Sequence, residues 1–398
     1  MPPALAPDDL RTLAGARFDE AVDVRRAVHA HPELSHQEAR TTALVRERLR
    51  ALGLSELPCP TETGALFRLD GGRPGRTVLL RADIDALPLL EEVEVPWRSQ
   101  VDGVMHACGH DGHTAIQLGV AAMLAARAES LPGRYVLLFQ PAEEDLDSGG
   151  AQAMLDGGVL DTAAADRMVS LHLATLMPSG LVAARPGVAM SSAQFFRVHL
   201  AGRGGHGSMA GRDGNVVLAA SALSLALPGV AEGLSFEEAP CACSAGLIRA
   251  GHASNVVPRL ATLEGTVRTY TAEQAATTLD RLHAACEQVA RDYGVSVDVR
   301  LPDPVPAVQN DPAAVAAWRA ACEPVLGAER VLEPPPMPPS DDVSRFLQRI
   351  PGVHFFVGAA PGPRVPPMHH APDFDFDEEA LRTGMLAMAA TAVDLAES

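Results

Sequence analysis

The segment His106-Ala107-Cys108-Gly109-His110-Asp111-Gly112-His113 places three imidazoles, a thiol and a carboxylate within eight residues. That is the donor set borderline-soft divalent metals such as zinc prefer. Gly109 and Gly112 would let the backbone fold so that alternate side chains face one ion. A loop that merely contains histidines, or a closed structural zinc cage, competes with this reading, but the usual second half of such a cage is missing. Glu143-Glu144 is the next signal. Two adjacent carboxylates repel unless something positive lies beside them, although a solvated acidic turn would also tolerate them. Near a metal their labour divides: one glutamate ligates, and the other takes a proton from a water whose pKa the ion lowers toward ~7. Alone, His172 reads more readily as a core histidine, and His369-His370 points neither way. Together with the Cys/His segment and the Glu pair they make a shared metal site the stronger reading.

These residues follow apolar runs. Arg81-Ala82-Asp83-Ile84-Asp85 comes after Thr77–Leu80, Gln140-Pro141-Ala142-Glu143-Glu144 after Tyr135–Phe139, His172 after Met168–Leu171, and His369-His370 a short loop beyond His354–Val357. The runs alternate with helical segments at Thr114–Ala128 and Gly150–Asp156, after two helices spanning Leu10 to Leu54 with a break at His31-Pro32. This texture predicts an α/β fold with a mixed, largely parallel sheet flanked by helices. In such sheets ligands bind beyond the carboxyl ends of strands, where all four segments could meet. From residue 185 the order becomes strand Ala193–Ala201, helix Asn215–Leu227, strands Cys243–Ala250 and Ala261–Tyr270, helix Ala272–Tyr293 and strand Ser296–Leu301. That is a split β-α-β-β-α-β unit of ferredoxin-like type. The α/β texture resumes with a helix at Ala313–Val325, capped by Asp311-Pro312, and ends with one opened by Asp377-Glu378-Glu379. The expected organisation is a discontinuous domain of residues 1–184 plus 302–398, with residues 185–301 inserted in it.

At 398 residues the chain exceeds the roughly 250–300 at which one core stops growing, which fits two domains. A formal charge of −18 argues against nucleic acid or an anionic membrane as a partner. The most apolar later run, Val217–Val230, is too short to span a bilayer. MPPALAPDDLRTL lacks a basic stretch followed by an apolar one, so a cytoplasmic protein is expected. Six cysteines without a C-x-x-C pair argue against a disulfide framework or zinc ribbon. Cys59, Cys241, Cys243, Cys286 and Cys322 read as inert core residues, with Cys108 the exception.

RADIDALP (81–88), MHACGHDGHTA (105–115), QPAEE (140–144), GRGGHGS (202–208), ASNVVP (253–258), EGTVRT (264–269) and HHAPDFDFDEE (369–379) resemble, in order along almost the whole chain, the aminoacylase and carboxypeptidase family of di-metal hydrolases. The branch resembled is that of hippurate hydrolases, N-acyl-amino-acid amidohydrolases and indole-acetyl-amino-acid hydrolases. The resemblance implies a di-zinc exopeptidase-like fold with a ferredoxin-like lid, and two divalent metal ions per subunit (zinc, manganese, cobalt or nickel). It implies that Cys108 bridges the ions, that His110 and His172 complete one, and that Glu144 and His370 complete the other. His370 is preferred to His369 because it stands two residues before the proline. Glu143 would be the general base and Asp83 the carboxylate that orients a ligand. The lid would pair two subunits into a homodimer or higher oligomer. His206 would stabilise the oxyanion, and Asn255 and Arg268 would grip the substrate carboxylate, although both also read as ordinary strand-end polar residues. Ala210, Arg259 and Ser340-Asp341-Asp342 depart from the family pattern without touching a proposed ligand. The implied reaction is metal-dependent hydrolysis of a small N-acyl amino acid. Its rivals are a dipeptidase or carboxypeptidase using the same site, and a non-catalytic metal- or ligand-binding protein, against which the unligated Glu143 speaks.

Overall fold

The computed structural model describes residues 5–145, 149–362 and 367–397. The chain divides into two compact units. The larger comprises Met1–Gly187, Gln309–Pro334 and Arg345–Ser398, the smaller Val188–Val308 and Pro335–Ser344.

The larger unit is built on an eight-stranded sheet. Its centre is parallel, in the order Pro132–Gln140, Arg73–Asp83, Arg167–Pro178 and Gly352–Ala360. Ala65–Asp70 and Ser55–Leu57 extend it antiparallel on one side, and Val182–Ala183 with Val331–Leu332 closes the other. Val78, Leu79 and Leu80, and Tyr135 through Phe139, are wholly buried, as continuous apolar runs in strands covered on both faces should be. This is the mixed, largely parallel sheet expected from the sequence. Each central strand nevertheless outruns its apolar kernel, because ladder hydrogen bonds continue into flanking polar residues. His172 therefore lies inside Arg167–Pro178 rather than closing a strand.

Helices Pro7–His29, His110–Ala125, Pro312–Leu326 and Glu379–Glu397 pack with one another and around this sheet. The carboxylate of Asp311 accepts from the Ala314 amide at 2.8 Å and opens its helix as the sequence suggests. Helix His110–Ala125 begins four residues before the expected Thr114, since Gly109 adopts φ 91°, a left-handed cap that favours glycine. His110 and His113 consequently stand one helical turn apart, and the histidine segment is not a loop of alternating side chains. Every residue from His110 to Leu124 is buried.

The smaller unit is a four-stranded antiparallel sheet in the order Ala242–Ala250, Leu260–Thr269, Ser192–Ala201 and Ser296–Arg300. Helices Val216–Val230 and Ala272–Tyr293 pack on it, giving the ferredoxin-like arrangement. The Asn215 side chain caps the first, and a Thr271/Gln274 capping box opens the second. Pro335–Ser344, which the sequence grouped with the larger domain, clusters here. Ser191 donates through its amide to Met337 O (2.9 Å) and through Oγ to Pro338 O (2.6 Å), and Met337 N donates to Ala189 O (2.8 Å). A proline-rich segment offers few amides of its own, so it borrows an edge.

All six cysteines are unpaired. Burial pushes the thiols of Cys243 and Cys322 up to about 12, which keeps them inert. Cys59 differs from the core reading and is only half-buried. Among the described residues, no helix is long and apolar enough to cross a membrane.

One charged network fixes the helix that begins at His110. Arg25 is fully buried and donates to Asp111 (2.9 Å), Asp375 (3.0 Å) and Glu378 (3.2 Å). Its guanidinium also lies 4.3 Å from the Phe376 ring centroid. His29 Nδ1 donates to Asp111 Oδ2 at 2.8 Å. Burial alone would raise the Asp111 carboxyl, but Arg25 and then His29 hold it well below the usual range. Removing one partner from a buried charge cluster leaves the others unpaired, which costs roughly 3–5 kcal/mol. Arg25→Leu is therefore expected to lower unfolding free energy in urea by about that amount. Arg26→Ala breaks a half-exposed pair with Glu378 (2.6 Å) and should cost only about 1 kcal/mol.

Candidate metal centre

The carboxyl ends of the parallel strands gather the chemistry. Arg73–Asp83 delivers Asp83 and, two residues on, Asp85; Pro132–Gln140 leads into Glu143 and Glu144; Arg167–Pro178 carries His172. His369 and His370 come from the loop after Gly352–Ala360. That loop is pinned by the His370 amide to Ala107 O (2.8 Å) and by His369 Nδ1 to Cys108 O (3.2 Å). Ala142 (φ 55°) and His370 (φ 64°) both hold left-handed backbone, rare for non-glycine residues, immediately beside this cluster.

Cys108 Sγ lies 3.5 Å from His172 Nε2, while His172 Nδ1 donates to the Leu173 carbonyl at 2.7 Å. The Nε2 lone pair therefore faces the sulfur. His110 Nδ1 donates to Asp85 O (3.0 Å), with Asp85 Oδ1 3.3 Å away, so its Nε2 points inward. That Nε2 is buried without a hydrogen-bond partner and stands 4.0 Å from both Glu143 Oε2 and Glu144 Oε1. Glu144 Oε1 is 3.1 Å from His370 Nε2. Among the described residues, ligand atoms of Cys108, Glu144 and His370 lie within 4.8 Å of one another, as do those of Cys108, His172 and His369, and those of His110, Glu143 and Glu144. An orphaned buried imidazole nitrogen next to sulfur, carboxylate and further imidazoles fits mixed S/N/O coordination of borderline metals.

Burial, then the charge of Glu144, pushes the Cys108 thiol well above its ordinary value. Burial would lower His110, yet Asp83 and Cys108 raise it well above the usual imidazole range. Burial and the neighbouring His113 and His369 drive His172 well below that range, and burial lowers His369 to about 4.

The structure brings Glu143, Cys108, His110, Glu144, His172 and His370 together. Asp83 stands at the margin. One of its oxygens accepts from His113 Nδ1 (2.6 Å) and the other from Arg81 (2.7 Å), while His110 Nε2 is 3.7 Å away. His113 Nε2 in turn accepts from Leu173 N at 2.9 Å, so this imidazole has both nitrogens engaged. The carboxylate that meets His110 from behind is Asp85, which the sequence reading left out. The spacing i, i+2 at a strand end, which puts Asp83 and Asp85 on one face, was the available signal. His369 was also passed over, yet it shares a donor group with Cys108 and His172.

His206, Asn255 and Arg268 belong to the smaller unit. His206 pairs with Val256, and its Nδ1 accepts from Ser208 N (3.2 Å), which leaves the ring proton on Nε2. Asn255 is its neighbour, with its carbonyl accepting from Gly207 N at 2.7 Å. Arg268 lies toward the other end of Leu260–Thr269, where it donates to Ser340 Oγ at 2.6 Å and faces Phe195.

Residues 79–394 match peptidase family M20/M25/M40. The chain is 34% identical to thermostable carboxypeptidase 1 of Saccharolobus solfataricus, over 94% of this chain and 95% of that one. It is likewise 34% identical to N-acetylcysteine deacetylase of Bacillus subtilis, over 95% and 97%. The crystal structure of Bacillus subtilis YXEP, described as a dinuclear metal binding peptidase from the M20 family, superposes with a TM-score of 0.77. It is 30% identical and is covered over 98% of its length by 95% of this chain.

A thiol and an imidazole whose pKa values are both raised must lose protons when they ligate. Titrating metal-stripped protein with zinc at neutral pH, in buffers of different ionisation heat, should therefore show more than about one proton released per chain. Cys108→Ala should reduce the release by about one proton; an unchanged release would remove the thiol from the ligand set.

Proposed function

The chain belongs to peptidase family M20/M25/M40 and is a metal-dependent hydrolase, and on that premise we propose that it cleaves the amide bond of small N-acyl amino acids. The products are a carboxylic acid and a free amino acid. The observation that carries the reading is that Cys108 belongs to two donor groups at once, one with Glu144 and His370 and one with His172 and His369, while His110 joins Glu143 and Glu144 in a third. A sulfur shared in this way suits a pair of ions, which Cys108, His110, His172, Glu144 and His370 would hold.

Two divalent cations bound there, whether zinc, manganese, cobalt or nickel, would polarise the attacking water and the scissile carbonyl. Glu143 takes the water's proton as the oxygen attacks the amide carbon and passes it to the departing nitrogen. Acid–base help of this kind contributes typically about 10²–10⁴ in rate. Asp85 holds His110 by its Nδ1 side, and Asp83 acts through His113 on the backbone beside His172. His206, with its proton on Nε2, takes the oxyanion role, and Asn255 and Arg268, at opposite ends of their sheet, would share one substrate carboxylate only from different subunits of a dimer. A second reading, peptide-bond hydrolysis on short peptides by the same residues, draws support from the relative named a carboxypeptidase.

The smaller unit supports self-association into a homodimer. Helix Val216–Val230 contains no charged residue and exposes Val217, Leu218 and Leu225, the last 84% accessible. Strand Ala242–Ala250, which packs against that helix, pairs on one side only among the described residues and exposes Ile248. An apolar helix beside an open edge matches a second copy of itself.

Glu143→Ala should retain two ions while kcat falls by about 10²–10⁴, and Cys108→Ala should lose metal as well. Normal turnover by Glu143→Ala would remove it as the base. In the same assay, N-acetyl and N-benzoyl amino acids should be preferred to unblocked dipeptides, and the opposite order would establish the peptidase reading. For the assembly, sedimentation should give a dimer for the wild type and a monomer for Leu225→Glu; a monomeric wild type at micromolar concentration would reject the interface.

A further inference from the structure

We infer that the buried carboxylate of Glu38 is a positioning residue, holding Ala142 in its left-handed conformation and thereby aiming Glu143 and Glu144. The inference rests on the roles proposed for those two glutamates. Ala142 is fully buried at φ 55°, a backbone region L side chains rarely adopt, so something must over-determine it. Two contacts do so, one of them from distant chain. Glu38 Oε1 accepts from the Ala142 amide at 2.8 Å, and the Gly150 amide donates to the Ala142 carbonyl at 2.7 Å. A side chain at Gly150 would collide with the Pro141 carbonyl, so the turn is walled by backbone there. Without Glu38 the Ala142 N–H would be buried and unsatisfied.

Glu38 is not spent on the helix it precedes. It precedes helix Ala39–Ala51, but its side chain does not cap it. Glu33 does so instead, accepting from the Arg40 and Thr41 amides at 2.8 Å each. Glu38 is itself fully buried, and its second oxygen accepts from Thr63 Oγ1 at 2.7 Å. The same loop provides a second anchor. Ser35 donates to Asp85 Oδ2 (2.7 Å), and that oxygen also accepts from the Glu144 amide (3.0 Å). The turn carrying the glutamate pair is thus held at both ends from residues 35–38.

The test compares Glu38→Ala, Glu38→Gln and the double variant Glu38→Ala/Ala142→Gly in the full-length protein. Three readouts are taken: kcat and KM on an N-acetyl amino acid, affinity of the stripped protein for zinc, and melting temperature. Glu38→Ala should lower kcat and zinc affinity each by roughly 10–100-fold, with KM within about threefold. Glu38→Gln keeps an acceptor for Ala142 N–H and a donor for Thr63, and should stay within about threefold of wild type in both. Adding Ala142→Gly, which removes the penalty of the left-handed conformation, should recover roughly 5–30-fold of the loss. A Glu38→Ala protein with a lowered melting temperature but unchanged kcat and zinc affinity overturns the inference, as does an equal loss in Glu38→Gln. Should Glu38→Ala not fold, Ala142→Val carries the test, since a β-branched residue resists that φ; unchanged kcat and zinc affinity there would also overturn it. If the wild type hydrolyses no N-acyl amino acid, the functional reading fails on its own, and zinc affinity still decides the role of Glu38.

Discussion

Crowding a thiol, two glutamates and several imidazoles into one largely buried cluster sets an electrostatic problem that the surrounding fold must manage. Each charge loses solvation on burial, and carboxylates this close repel unless a cation is shared among them. Burial with the charge of Glu144 raises the Cys108 thiol, and Asp83 with Cys108 raises the His110 imidazole against its burial. A pair of divalent ions would resolve the same conflict by replacing protons on the thiol and the imidazole.

That repulsion explains how much of the larger unit is spent on support. Behind the histidines stands a row of carboxylates, each fixed by a partner of its own: Asp83 by Arg81, Asp85 by Ser35, Asp111 by Arg25 and His29. These pairs sit on three separate elements and bring rigidity to side chains that the parallel strands can only bring near. Helix His110–Ala125 is buried from His110 to Leu124 and anchored at its first turn by Arg25, so His110 has little freedom to move.

The sequence displayed the donors better than it displayed their geometry. Glu143-Glu144 and the Asp83 segment follow apolar kernels, and that pattern survives any error of a few residues in strand ends. The split unit was legible for the same reason, because its turns and caps at Asn215 and Thr271 are local chemistry. What failed was anything decided by tertiary contact. The helix start at His110 depends on a left-handed Gly109, His172 lies within its strand because ladder bonding continues past Leu173, and Pro335–Ser344 is held by an edge at Ser191. Asp85 escaped notice because a carboxylate two residues from another looks redundant until the partner of each is known.

The two left-handed non-glycine residues beside the centre follow from the same logic. A relaxed turn at Ala142 would have several near-equal conformations and would let the adjacent carboxylates separate, as their charges prefer. A strained turn held by long-range hydrogen bonds has one conformation, and the cost of holding it is met by interactions far from the ions. His370 is treated alike: its φ of 64° is maintained by the Ala107 carbonyl, and its neighbour His369 is tied to Cys108. Both strained residues thus draw their hold from chain distant in sequence. The positions of Glu144 and His370 are therefore properties of the folded unit as a whole, which is why no short segment of this sequence could have disclosed them.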